Sequence, residues 1–60
     1  MTINLNMDPN ILLSVINTKL RNDYESLSSL AKEENINIEE LNKTLNENRF
    51  FYDPDTNQFK

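Results

Sequence analysis

The sequence predicts a mainly α fold, a three-helix, helix-turn-helix-like array closed by a C-terminal β-hairpin. Three observations carry that expectation. Three segments open on a capping residue and continue with apolar residues three or four apart, the period of a helix with one buried face. The end of the chain holds an aromatic run, a Pro-Asp turn and a returning aromatic, the signature of a hairpin. The chain has no glycine but eleven asparagines. Asparagine is therefore the residue at hand wherever the backbone must turn left-handed.

Met1 to Met7 alternates, with Ile3, Leu5 and Met7 set against Thr2, Asn4 and Asn6. Period two reads as a strand, and the terminal position reads equally as a frayed arm. Residues 1–7 are expected to form this N-terminal arm, and residues 8–60 a single tri-helical domain ending in the hairpin.

Asp8-Pro9 is a helix start. The Asp8 carboxylate can accept from a free first-turn N–H, and Pro9 fits the first helical position, where its missing N–H costs nothing. The helix should run to about Arg21. Leu12, Leu13, Ile16 and Leu20 form one stripe, which Ile11 and Val15 widen beyond the usual apolar face of about 100°. Such a helix wants contact on two sides. Asn17 lies at the margin of the stripe, and its amide is expected to bond the hairpin backbone, because helix interiors disfavour Asn without a reason.

Asn22 and Asp23 break the pattern. Ser26 then caps a shorter helix carrying Leu27, Leu30 and Ala31, which ends near Glu34 or Asn35, with Asn35 able to turn left-handed. Asn37 and Glu40 form a variant capping box for the third helix, with Ile36 and Leu41 as its hydrophobic staple. Leu41 and Leu45 continue the buried stripe to about Asn48. In the tail, Phe50 and Tyr52 should face one way and Phe51 the other, around the Asp53-Pro54-Asp55 turn. The expected core is Leu12, Leu13, Ile16, Leu20, Leu27, Leu30, Ile36, Leu41, Leu45, Phe50, Tyr52 and Phe59.

Asp8-Pro9, Leu12-Leu13-Ser14, Asn17, Lys19-Leu20-Arg21, Tyr24, Ser26-Leu27, Tyr52-Asp53-Pro54 and Asn57-Gln58-Phe59 form a set in order and spacing. In that set the chain resembles the small bacterial family catalogued as domain of unknown function 4250, from Asp8 to Lys60. The family has no known activity, so the resemblance implies domain limits and no functional residue. A glycine usually stands near the end of its third helix. Here Asn48-Arg49 occupies that junction, so the reversal must rely on Asn48 or on a longer connection.

Composition narrows the function classes. A 60-residue chain buries only about 60% of the surface its unfolded form exposes. Small domains usually compensate with disulfides, a metal or a second subunit. Cysteine and histidine are both absent, so the usual zinc ligand sets and disulfides are missing. No cofactor or metal is expected. A homodimer or an unidentified protein partner is. No signal peptide and no apolar run of membrane-spanning length is seen, which makes the cytoplasm the default location.

The chemistry-bearing residues have structural readings. Lys19 and Arg21 sit where cations complement a helix C-terminus, and two cations without a glycine loop make a poor phosphate site. Glu33-Glu34, Glu39-Glu40 and Asp53/Asp55 pair carboxylates, but Glu39 and Glu40 fit the first turn of a helix and Asp53 and Asp55 flank a turn proline. Calcium would need a regular ligand spacing and a glycine that the chain lacks. Ser14, Ser26, Ser28 and Ser29 have no histidine base, and Lys32 sits on an exposed helical face with no apolar pocket to activate it. No enzyme is expected.

Helices two and three, joined through Asn35-Ile36-Asn37, offer the alternative of an acidic winged-helix DNA-binding regulator. Its recognition face would present Glu39, Glu40, Asn42, Lys43, Asn46 and Glu47, three carboxylates against one ammonium. Phosphate contacts demand the reverse, so nucleic acid is not expected as a partner. The leading expectation is a protein–protein interaction or self-association module. Its candidate surface is the apolar excess at Ile11, Val15 and Phe51, with Ile3 and Leu5 beside it.

Overall fold

The computed structural model describes residues 3–60. Among them, helix α1 spans Pro9–Asn22, α2 Leu27–Glu33 and α3 Ile38–Glu47, followed by strands β1, Tyr52–Asp53, and β2, Gln58–Phe59. The mainly α array with a C-terminal hairpin is as the sequence predicts. The principal-axis extents are 23 × 23 × 18 Å.

Each helix begins where its cap dictates. The Asp8 carboxylate accepts from Asn10 N–H at 2.8 Å, with Pro9 at the head of α1. Ser26 Oγ accepts from Ser29 N–H at 3.2 Å. Asn37 Oδ1 accepts from both Glu39 N–H at 2.9 Å and Glu40 N–H at 3.3 Å. These bonds satisfy donors that the first turn of any helix leaves free.

The helix ends explain how a chain without glycine reverses. After α2, Ile36 N–H donates to Ala31 C=O at 2.8 Å and Asn35 N–H to Lys32 C=O at 3.3 Å, with Asn35 at φ 57°. This is a Schellman motif with asparagine in the left-handed position. After α3 the motif repeats. Phe50 N–H donates to Leu45 C=O and Arg49 N–H to Asn46 C=O, both at 2.9 Å, with Arg49 at φ 68°. The reversal thus rests on neither Asn48 nor a longer connection. Asn48 keeps a negative φ of −100° and turns its amide back to Thr44 C=O at 2.9 Å, so the next residue makes the reversal.

Of the two readings of the N-terminal arm, the strand does not form. Ile3–Met7 is not a strand: Met7 N–H donates to Asn4 C=O at 3.1 Å and Asn6 N–H to the Asn4 side chain at 2.8 Å, which makes a turn. The Asn4 side chain imitates a backbone carbonyl and competes with any sheet partner. Met1 and Thr2, at the start of the predicted alternation, lie outside the described residues.

The core is the predicted stripe of each helix brought to one centre. Leu12, Ile16 and Leu20 of α1 meet Leu27 and Leu30 of α2, Leu41 and Leu45 of α3 and Phe59 of β2. Leu13, Ile36, Phe50 and Tyr52 pack around it half-buried. So do Ile3, Leu5, Met7, Tyr24 and Ile38. Ile3 and Leu5 thus belong to the core margin and not to the free surface expected of them. The turn at Asn4 folds the arm's alternate apolar side chains onto the domain.

Candidate functional site

The hairpin pairs Tyr52 with Phe59 and Asp53 with Gln58 in antiparallel register. Phe51 and Lys60 extend it by exchanging two backbone bonds of 2.9 Å. Such pairs alternate in an antiparallel ladder, so the N–H and C=O of Phe59 point away from β1. They meet the side chain of Asn17. Phe59 N–H donates to Asn17 Oδ1 at 2.8 Å, and Asn17 Nδ2 donates to Phe59 C=O at 3.1 Å. One amide on α1 therefore takes the place of a third strand, the docking role that sequence assigns to Asn17.

Two further amides fix the hairpin to the end of α1. Asn57, left-handed at φ 57°, donates from Nδ2 to Leu20 C=O at 3.0 Å and to Tyr24 C=O at 3.1 Å. Its Oδ1 accepts from the Tyr52 hydroxyl at 2.5 Å. Gln58 Nε2 donates to Asn17 C=O at 3.1 Å. Asn57 thus supplies the turn conformation and satisfies Leu20 C=O in the last turn of α1, which has no helical donor, and Tyr24 C=O just beyond the helix. Sequence reasoning missed Asn57 and Gln58 as docking residues. The only signal was a polar pair placed between a turn and a buried aromatic.

Docking buries one face of the hairpin. The Tyr52 and Phe59 rings lie 5.5 Å apart, tilted at 54°, over α1. Phe51 falls on the opposite face and stays 57% exposed. Lys60 and Asp53 form an ion pair at 3.2 Å, and Asp53 Oδ1 also accepts from Asp55 N–H at 2.9 Å. Those bonds to Lys60 and Asp55 hold the Asp53 carboxyl below its usual pKa.

On α1 itself, Ile11 is 55% exposed and Val15 half-buried. Val15 lines a shallow groove of about 290 Å³ with Ser14, Thr18, Lys19 and Asp23. Ile11 and Asn17 are six positions apart, which is about 120° around a 3.6-residue helix. Ile11 and Val15 therefore share one flank of α1, and the hairpin carrying Phe51 docks on another. The structure does not gather the three candidate residues into a single patch.

The total accessible surface is that of an ordinary monomer. The accessible surface is 4172 Å² for 7.1 kDa, against about 4,100 Å² for an ordinary monomer of that mass. The hairpin covers one side of α1 and leaves the Ile11 flank open.

A polar cluster ties the two ends of the α1–α2 hairpin. The Tyr24 hydroxyl donates to Glu34 Oε2 at 2.5 Å, and Lys19 Nζ stands 3.6 Å from the same oxygen. The hydroxyl bond, followed by partial burial and the neighbouring carboxylates, pushes the Tyr24 pKa up to about 12. The bond from Tyr24 and the charge of Lys19 lower that of Glu34. Lys19 thus serves its helix end and Glu34, while Arg21 is exposed beyond it. On α3, Glu39, Glu40, Lys43, Asn46 and Glu47 are exposed and Asn42 half-buried, as an acidic outer face. Among the described residues no cluster of three potential metal ligands forms, and no helix is long and apolar enough to cross a membrane.

The model of the family described as Domain of unknown function (DUF4250) matches residues 6–59 of this chain. The match covers most of the 60 residues, and the chain belongs to that family. No curated protein and no solved structure matches it.

Proposed function

We propose that this DUF4250 family member is a protein–protein interaction or self-association module of the cytoplasm, without catalytic activity. The observation that carries the reading is the exposure of Phe51 at 57% and Ile11 at 55%. The other large apolar side chains of the described residues are buried or half-buried. A rigid aromatic held outward on a docked hairpin loses little entropy when covered, which is why such residues anchor interfaces. The polar networks at Asn17, Asn57 and Glu34 are internally paired and hold the scaffold.

The acidic outer face of α3 counts against the DNA-binding alternative, because Glu39, Glu40 and Glu47 outnumber Lys43 where phosphates would lie. The reading is tested by affinity capture from the native cell, with Phe51→Glu and Val15→Glu as controls. Partners of the wild type should be missing from at least one variant while both keep the wild-type circular dichroism. If both variants fold and retain every partner, these residues are not the contact.

A further inference from the structure

We infer that the open flank of α1 is the contact between two copies of this chain, packed as an antiparallel helix pair. The inference rests on the interaction reading and names its surface and occupant.

The flank is built to complement itself. Ile11 stands out from the helix as a knob, 55% exposed. One turn further along the same face lies the groove of about 290 Å³ at Ser14, Val15 and Thr18. Residues three, four and seven apart share a helix face. Seating each Ile11 in the other copy's groove runs the helices antiparallel and places the two-fold axis beside Ser14. The small side chains of Ser14 and Thr18 let the backbones approach. In a two-fold contact each copy supplies both the knob and the hole.

Charge selects a second copy as the occupant. The chain carries a net charge of −4, so most contacts between copies set acid against acid. No charged residue stands between Asp8 and Lys19. This stretch therefore meets its own copy without like-charge repulsion, and the one carboxylate of the groove, Asp23, stands at its end beside Lys19. Asp8 and Lys19 are eleven positions apart, close to three helical turns, and so lie on the same flank. In the antiparallel pair the partner's Asp8 comes over Lys19, and the opposed helix dipoles add to the attraction. A single 14-residue helix covers much less than the roughly 800 Å² per partner of a standard interface. The dimer is accordingly weak.

The absence of cysteine gives a direct test. Ser14→Cys puts one thiol beside the proposed axis, and Asn46→Cys puts one on the exposed face of α3. In a glutathione buffer at micromolar protein, Ser14→Cys should form at least about tenfold more covalent dimer than Asn46→Cys, because association raises the effective thiol concentration. Adding Ile11→Glu to Ser14→Cys should return it to the control level. Sedimentation equilibrium of the wild type should show reversible dimer at high concentration. Equal cross-linking of the two cysteine variants, or a wild type that stays monomeric at 1 mM, overturns the inference. Those results leave the wider interaction reading to the Phe51 capture experiment.

Discussion

Replacing Asn17 by alanine removes the amide that holds β2 against α1, and the cost follows from the groups left behind. Phe59 is buried, and its N–H and C=O are bonded to Asn17 at 2.8 and 3.1 Å. Each buried backbone group without a partner costs about 1–3 kcal/mol. Taking the lower half of that range, because the hairpin can shift and admit water, gives about 2–4 kcal/mol for the pair. Alanine returns up to about 0.7 kcal/mol as the better helix former. The net loss is about 2 kcal/mol. A domain of 60 residues has on the order of 3–9 kcal/mol in total, so the loss is a quarter or more of the stability. At this size it lowers the melting temperature by about 8–16 °C. Urea denaturation of Asn17→Ala and Asn17→Leu measures it. Leucine fills the space without bonding, so it should be destabilising by a similar amount. A loss below about 0.5 kcal/mol in Asn17→Ala, or a leucine variant as stable as wild type, would refute the assignment of hairpin docking to this amide.

Two further outcomes are expected. Arg49 holds φ 68° at the end of α3, where a side chain costs roughly 1–2 kcal/mol that glycine avoids. After the extra unfolded-state entropy of glycine, about 0.5–1 kcal/mol, Arg49→Gly should stabilise by about 0.5–1 kcal/mol in urea, and a destabilised variant would contradict the Schellman assignment. The pH profile should fall at both ends. Glu34 and Asp53 have lowered pKa values when folded, so their contribution is present above the unfolded carboxylate range and is lost as pH falls through the folded values. Tyr24 is pushed up to about 12, so its contribution is full below the unfolded value near 10 and is lost as pH rises through the folded one. Tyr24→Phe should remove that alkaline loss in thermal melts across pH 9–12 and weaken the acid dependence due to Glu34. An unchanged profile would show that the hydroxyl–carboxylate bond does not matter to folding.

The comparison of expectation with outcome follows the range of the forces involved. The sequence of Asp8, Ser26 and Asn37 determines where the helices start, because a cap bonds only N–H groups two or three residues away. The spacing of Leu12, Ile16 and Leu20 determines which side of α1 is inside, because helical periodicity is a local property. Asparagine at Asn35 was readable as a left-handed cap for the same reason. The arm was not settled in this way. Its alternation left a strand and a frayed arm equally open, and Asn4 closes a local turn with no sheet partner among the described residues.

What the sequence left open is how separate elements meet. The pairing of Asn57 with Leu20 and Tyr24, and of Gln58 with Asn17, joins residues more than thirty positions apart. Any of the eleven asparagines offers the same donors, so composition cannot select among them. The left-handed position after α3 falls on Arg49 and not on Asn48, where the bonds from Phe50 N–H to Leu45 C=O and from Arg49 N–H to Asn46 C=O place it. The surface divides in the same way. Ile11, Val15 and Phe51 could be named as apolar excess from the chain alone, since counting what one face can bury needs only the helical period. Their separation onto two flanks was decided by where the hairpin lies against α1, and that depends on side-chain bonds which exist only once the chain has folded.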